Sequence, residues 1–65
     1  MPKLLLIGYA NYGHVLIAKV AIGKRVYVYT MPYSYYAMRA LTKKVFTFKD
    51  LNLIKKCATK TESYK

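Results

Sequence analysis

The acid, base and thiol inventory of the chain is Asp50, Glu62, His14 and Cys57. Asp50 stands three residues after Thr47, the spacing of a helix cap, and Glu62 lies in a segment without apolar pattern, so no acid–base pair emerges. His14 and Cys57 form the one nucleophile–base combination. His14 opens an expected strand, however, and Cys57 falls on the inner side of an expected helix, where a thiol is inert. One histidine and one cysteine exclude a histidine–cysteine zinc cluster and an intramolecular disulfide. Glycines 8, 13 and 23 frame no phosphate loop. The expectation is a non-enzyme with no metal and no cofactor.

A different chemistry is abundant. Eight tyrosines occur without any tryptophan, and five of them fall within VYVYTMPYSYY, residues 26–36. Twelve lysines and arginines face two acids, a net charge of +10. A compact chain with that charge repels itself and calls for an anionic partner, nucleic acid first, an acidic protein or an anionic membrane next. Aromatic rings stack on bases for about 1–3 kcal/mol each. Tyr9 and Tyr12 flank the first turn, and Tyr35 lies off the apolar stripe of its helix beside Arg39, one turn on. These three are the candidates for stacking. Tyr27, Tyr29, Tyr33 and Tyr36 are assigned to the core, which aromatics dominate in small domains. The candidate phosphate contacts are Lys24 and Arg25 at a hairpin tip, Arg39, and Lys43, Lys44, Lys55 and Lys56 around the last helix. The competing reading is a solvated lysine face. With ten lysines to two arginines, backbone contacts dominate and sequence specificity is low.

These residues need elements to position them. KLLLIGY, residues 3–9, reads as a buried strand, and ANYG as a turn. HVLIAKVAI, residues 14–22, reads as a second strand. Gly23 leads a two-residue hairpin into VYVYT, residues 26–30. Pro32 suits the first turn of a helix of about ten residues in PYSYYAMRALT. KKVF, residues 43–46, reads as a short fourth strand. Thr47 and Asp50 then form a capping box and Phe46 and Leu51 a hydrophobic staple for a second helix, with Leu51, Ile54 and Ala58 as its apolar stripe. Residues 59–65 have no apolar pattern and read as a flexible tail. The result is a single α+β domain over residues 1–58, with a three- to four-stranded antiparallel sheet and two short helices in the order βββα(β)α.

A two-residue hairpin loop places Leu16, Ala18, Val20, Ile22, Tyr27 and Tyr29 on one sheet face and Val15, Ile17, Lys19, Ala21, Val26 and Val28 on the other. A three-residue loop moves Tyr27 and Tyr29 to the side of Lys19. In either register neither face is properly polar. Two short helices do not cover both, so one face is left open to nucleic acid, a second copy (a homodimer) or another protein. A chain of 65 residues buries only about 60% of its unfolded surface, and its 55% apolar content must supply the whole core. LLLIGYA, residues 4–10, is too short to span a bilayer. The unpaired Cys57 fits a reducing interior, so the expected location is the cytoplasm, or the host cytoplasm for a viral protein.

IGY at 7–9, the Gly-led turn at 23, YVYTMP at 27–32 and YYAMRAL at 35–41 together resemble the KTSC domain over roughly residues 5–42. Met31 stands where that family has valine, and TKKVFTFKDLNLI does not reproduce its Ser-Gly-aromatic-Asn segment. The resemblance implies a βββα core and an RNA-binding role in a family common in phages and bacteria, with no site residues to carry over. The leading expectation is a small basic protein that binds RNA or single strands through phosphates. The alternatives are a small phage- or virus-type protein docking on an acidic host protein, and a structural subunit of a ribonucleoprotein.

Overall fold

The computed structural model describes residues 2–64. Four strands and two helices follow one another: β1 (Lys3–Ala10), β2 (Val15–Ile22), β3 (Arg25–Pro32), α1 (Tyr35–Leu41), α2 (Phe48–Cys57) and β4 (Lys60–Tyr64). All pairings are antiparallel, in the spatial order β1-β2-β3-β4. The architecture is α+β, with both helices on one face of the sheet.

The β2–β3 hairpin takes the two-residue loop. Ile22 pairs with Arg25, Val20 with Tyr27 and Ala18 with Tyr29. Gly23 adopts φ 62°, a left-handed conformation that costs glycine little. This register turns Leu16, Ala18, Val20, Tyr29 and Met31 inward, where Ala37, Ala40 and Leu41 of α1, Phe46, and Leu51 and Ile54 of α2 complete the core. Burial raises the pKa of Tyr29, and the neighbouring Tyr27, stacked at 6.2 Å, adds to the effect.

Four expectations are corrected. KKVF forms no strand; residues 43–45 are bends and Phe46 drops into the core. The fourth strand comes instead from the segment expected to be a flexible tail: Lys60–Tyr64 pairs along β3 from Thr30 to Val26, and Thr59 N–H donates to the Thr30 carbonyl at 2.8 Å. Pro32 ends β3, and α1 starts only after Ser34, whose hydroxyl accepts from Ala37 N–H at 3.1 Å. Tyr33 therefore lies outside α1, the buried stripe is confined to Ala37, Ala40 and Leu41, and Tyr33 and Tyr36 are exposed rather than buried. Finally, β1 is an edge strand whose register shifts between Leu4 and Leu6. The irregularity keeps Leu4 and Ile7 packed on the core but leaves Leu5 and Leu6 exposed.

The start of α2 follows the expected capping box. Thr47 accepts from Asp50 N–H, and the Asp50 carboxylate accepts from Thr47 N–H at 3.0 Å and from its hydroxyl at 2.9 Å. Lys43 Nζ donates to the other carboxylate oxygen at 3.0 Å. Asp50 is only 5% exposed. Its pKa is lowered, first by the Thr47 backbone hydrogen bond and then by Lys43 and the Thr47 hydroxyl, against an opposing effect of burial.

Two outcomes follow for stability. Thr47→Ala costs about 1 kcal/mol through lost capping, and Phe46→Ala costs about 3 kcal/mol through the cavity it leaves; urea midpoints measure both. Because the folded carboxyl of Asp50 titrates below its unfolded value of about 3.9, its stabilisation is complete above that pH and is lost as pH falls through the lower folded pKa. Asp50→Asn therefore flattens the acid limb of the stability–pH curve, an effect read from urea melts between neutral pH and pH 2.

Candidate functional site

Helical spacing divides the surface of α1 into three strips. Ala37, Ala40 and Leu41 face the core, so Tyr35 and Arg39 occupy the opposite crest. Met38 lies on the flank toward β1, where its sulfur accepts the Tyr9 hydroxyl at 3.8 Å. Tyr36 and Lys43 lie on the flank toward α2. The crest is an aromatic–cationic cluster: the Arg39 guanidinium sits 5.7 Å from the Tyr35 ring centroid, and Tyr36 meets Tyr35 edge-on at 6.1 Å and 71°. Both rings are well exposed, at 64% and 74%.

Between the helices runs a shallow groove. Tyr36, Arg39, Lys43 and Leu53 line one stretch of it, and Lys43, Lys49, Asn52, Leu53 and Lys56 line the next. Lys49, Leu53 and Lys56 share this wall because they recur at i, i+4 and i+7 on α2. At its base, Lys43 is paired with the buried Asp50. Its charge is thereby offset, and the net positive charge of the groove comes from Arg39, Lys49 and Lys56.

The expected site residues divide accordingly. Tyr9, Tyr35, Arg39, Lys43 and Lys56 are gathered around α1 and its groove. Lys55 points about 100° away from Lys56 around α2 and lines no part of the groove. Lys44 joins Lys3, Val45 and Phe46 around a second depression beside the start of β1. Lys24 and Arg25 cap the hairpin at that same end of the sheet, since Lys3 pairs with Ala21 and Arg25 with Ile22. Tyr12 is at the far end, fully exposed in the short left-handed turn Asn11–Gly13. Lys49, Tyr36 and Lys3 belong to these surfaces although the site expectation omitted them. The i, i+4, i+7 spacing of Lys49, Leu53 and Lys56 was the signal for the first.

His14 is exposed in the β1–β2 turn, where its carbonyl accepts from Tyr33 N–H at 2.8 Å, and Cys57 is a free, half-buried thiol at the end of α2. Among the described residues no three His, Cys, Asp or Glu side chains form a group able to hold a metal. Among the described residues no helix is long and apolar enough to cross a membrane. No family model, curated protein or solved structure matches the chain.

Tyr12 carries a backbone cost. Asn11, Tyr12 and Gly13 all have positive φ, at 52°, 57° and 87°. Asparagine and glycine adopt that conformation readily; an aromatic residue does not. Tyr12→Gly is expected to raise stability by up to about 1 kcal/mol, because the fully exposed ring gives up no packing. A urea titration checks the sign.

Proposed function

We propose that the protein is a non-enzymatic, cytoplasmic nucleic-acid-binding protein that prefers RNA or single strands and contacts them mainly through phosphates. The observation that carries this reading is the crest of α1, where exposed Tyr35 lies against Arg39 and, with Tyr36, opens onto the groove of Lys49 and Lys56. Rings free on one face stack on splayed bases, and cations a few ångströms away neutralise the backbone that those bases leave behind. A duplex buries its base faces and leaves the rings little to meet. The RNA-binding role implied by the KTSC resemblance points the same way. A second reading, docking on an acidic protein, is favoured by Leu53, an exposed apolar side chain on the floor of the cationic groove.

Fluorescence anisotropy with labelled oligonucleotides tests the proposal. Affinity for single strands falls steeply with salt. Lys49→Ala and Lys56→Ala each lower the log–log slope by about 0.7 to 0.9, while Lys55→Ala changes it less. Tyr35→Ala weakens single strands more than duplexes. Absence of binding at low salt would overturn the nucleic-acid reading and leave the acidic-protein reading in its place.

A further inference from the structure

The sheet has two edges, and they are guarded differently. β4 is five residues long and carries Lys60 and Glu62, the short, charged form that discourages further pairing. β1 is eight residues long and uncharged from Leu4 to Ala10. Among the described residues it pairs only with β2, and no backbone hydrogen bond from a loop or turn reaches it. Its one guard is the shift between Leu4 and Leu6, which leaves Leu6–Ala10 in regular register. The two-residue β2–β3 loop makes Ile22 and Arg25 a hydrogen-bonded pair. Alternation along β2 then turns the backbone groups of Val15, Ile17 and Lys19 toward β1, where these residues pair with Ala10, Gly8 and Leu6. Ile7 and Tyr9 are left with their N–H and C=O groups on the outer edge.

Gly8 lies between those two residues. Its φ is not positive, and a Cβ added there would meet the Ile17 Cβ at 3.8 Å, an ordinary contact. Neither the backbone nor the packing asks for glycine, which weakens a strand interior and marks places where another backbone or a ligand comes close. Here it leaves room beside Leu6 for a large side chain of an added strand to lie across toward Ile17. At the start of β1, a depression of about 400 Å³ opens against the loop between α1 and α2, with Lys3, Leu4, Lys44 and Val45 in its lining. Lys3 and Lys44 are exposed. The two acids of the chain are engaged by Lys43 and Lys60, so among the described residues neither Lys3 nor Lys44 has an acidic partner.

These features ask for one occupant. Unpaired N–H and C=O groups take an extended backbone, and the exposed Leu5 and Leu6 take apolar side chains. Two lysines without an acidic partner take a carboxylate. Every pairing in this sheet is antiparallel, the more stable arrangement per residue. A strand added antiparallel to β1 ends where β1 begins, so its carboxyl terminus falls at the depression. We propose that the free edge of β1 binds the extended, apolar carboxyl-terminal segment of a partner protein, added antiparallel to the sheet with its terminal carboxylate at Lys3 and Lys44. A second copy of β1 does not fit. Laid antiparallel, it would bring residues 9–14 to the depression, and none of them is acidic. The inference is independent of the nucleic-acid reading, which rests on the crest of α1.

The probe is a fluorescein-labelled octapeptide of alternating valine and threonine with a free carboxyl terminus, titrated with the full chain and followed by anisotropy. Binding is expected, and amidating the terminus or combining Lys3→Glu with Lys44→Glu weakens it at least about tenfold. N-methylation of successive peptide residues abolishes binding at every second position, because only alternate N–H groups face β1. This arm leaves the protein untouched and is read even where a variant folds poorly. Phenylalanine scanned along the peptide tightens binding opposite Gly8 in the wild-type chain and not in Gly8→Val, whose circular dichroism and melting curve stay native. No binding at millimolar concentration, an amide that binds equally, N-methyl losses without alternation, or a Gly8→Val variant that keeps the phenylalanine gain would each overturn the proposal. So would a dimer in sedimentation equilibrium that the peptide dissociates, which would assign the edge to a second copy.

Discussion

The contact on which the arrangement of the helices depends is the one around the Asp50 carboxylate. One oxygen holds both the backbone and the hydroxyl of Thr47, and the other holds Lys43. The first pair fixes where α2 begins. The second ties the end of α1 to that start across the loop of residues 42–47. A buried carboxylate without these donors would be costly; with them it becomes a clamp that sets how the two helices lie together. The groove between them, and the positions of Lys49 and Lys56 relative to Arg39, follow from that clamp.

A second constraint is arithmetic. Two helices of seven and ten residues cover one face of a four-stranded sheet and no more. The covered face takes Leu16, Ala18, Val20, Tyr29 and Met31. The bare one keeps Ile17, Val26 and Val28, half-buried among their own neighbours, with Leu6 exposed. In a chain this short the core has no surplus from which to build another layer. The bare face follows from the length as much as from the composition.

What was legible in the residues was local and strongly signalled. Gly23 marked the turn between β2 and β3, while the choice between a two- and a three-residue loop, and so the register, came only with the structure. The Thr47–Asp50 and Phe46–Leu51 spacings specified the start of α2. What was not legible depended on tertiary context. Lys60–Tyr64 lacks an apolar alternation because an edge strand at the rim of the sheet buries neither face fully. Its reason for being a strand is the free hydrogen-bonding edge of β3, which no feature of its own sequence announces. Tyr33 and Tyr36 were assigned to the core, yet the cap at Ser34 leaves Tyr33 outside the helix, and the buried stripe is confined to Ala37, Ala40 and Leu41 with Tyr36 exposed beside it. Of the surface around α1, the Tyr35–Arg39 pair was readable from its i, i+4 spacing. The offsetting of Lys43 by Asp50 and the separation of Lys55 from Lys56 required the packing of one helix on the other.

Charge and apolar surface are thereby sorted to opposite sides of one thin molecule. The helical side carries cations and exposed rings around a groove whose one acid is already engaged. The sheet side carries apolar residues, Lys19, which has no acidic partner among the described residues, and Glu62 held by Lys60. The first side thus presents net positive charge, its one carboxylate, Asp50, being already paired with Lys43. The second side is mainly apolar, with Lys19, Lys60 and Glu62 as the charges set among its side chains.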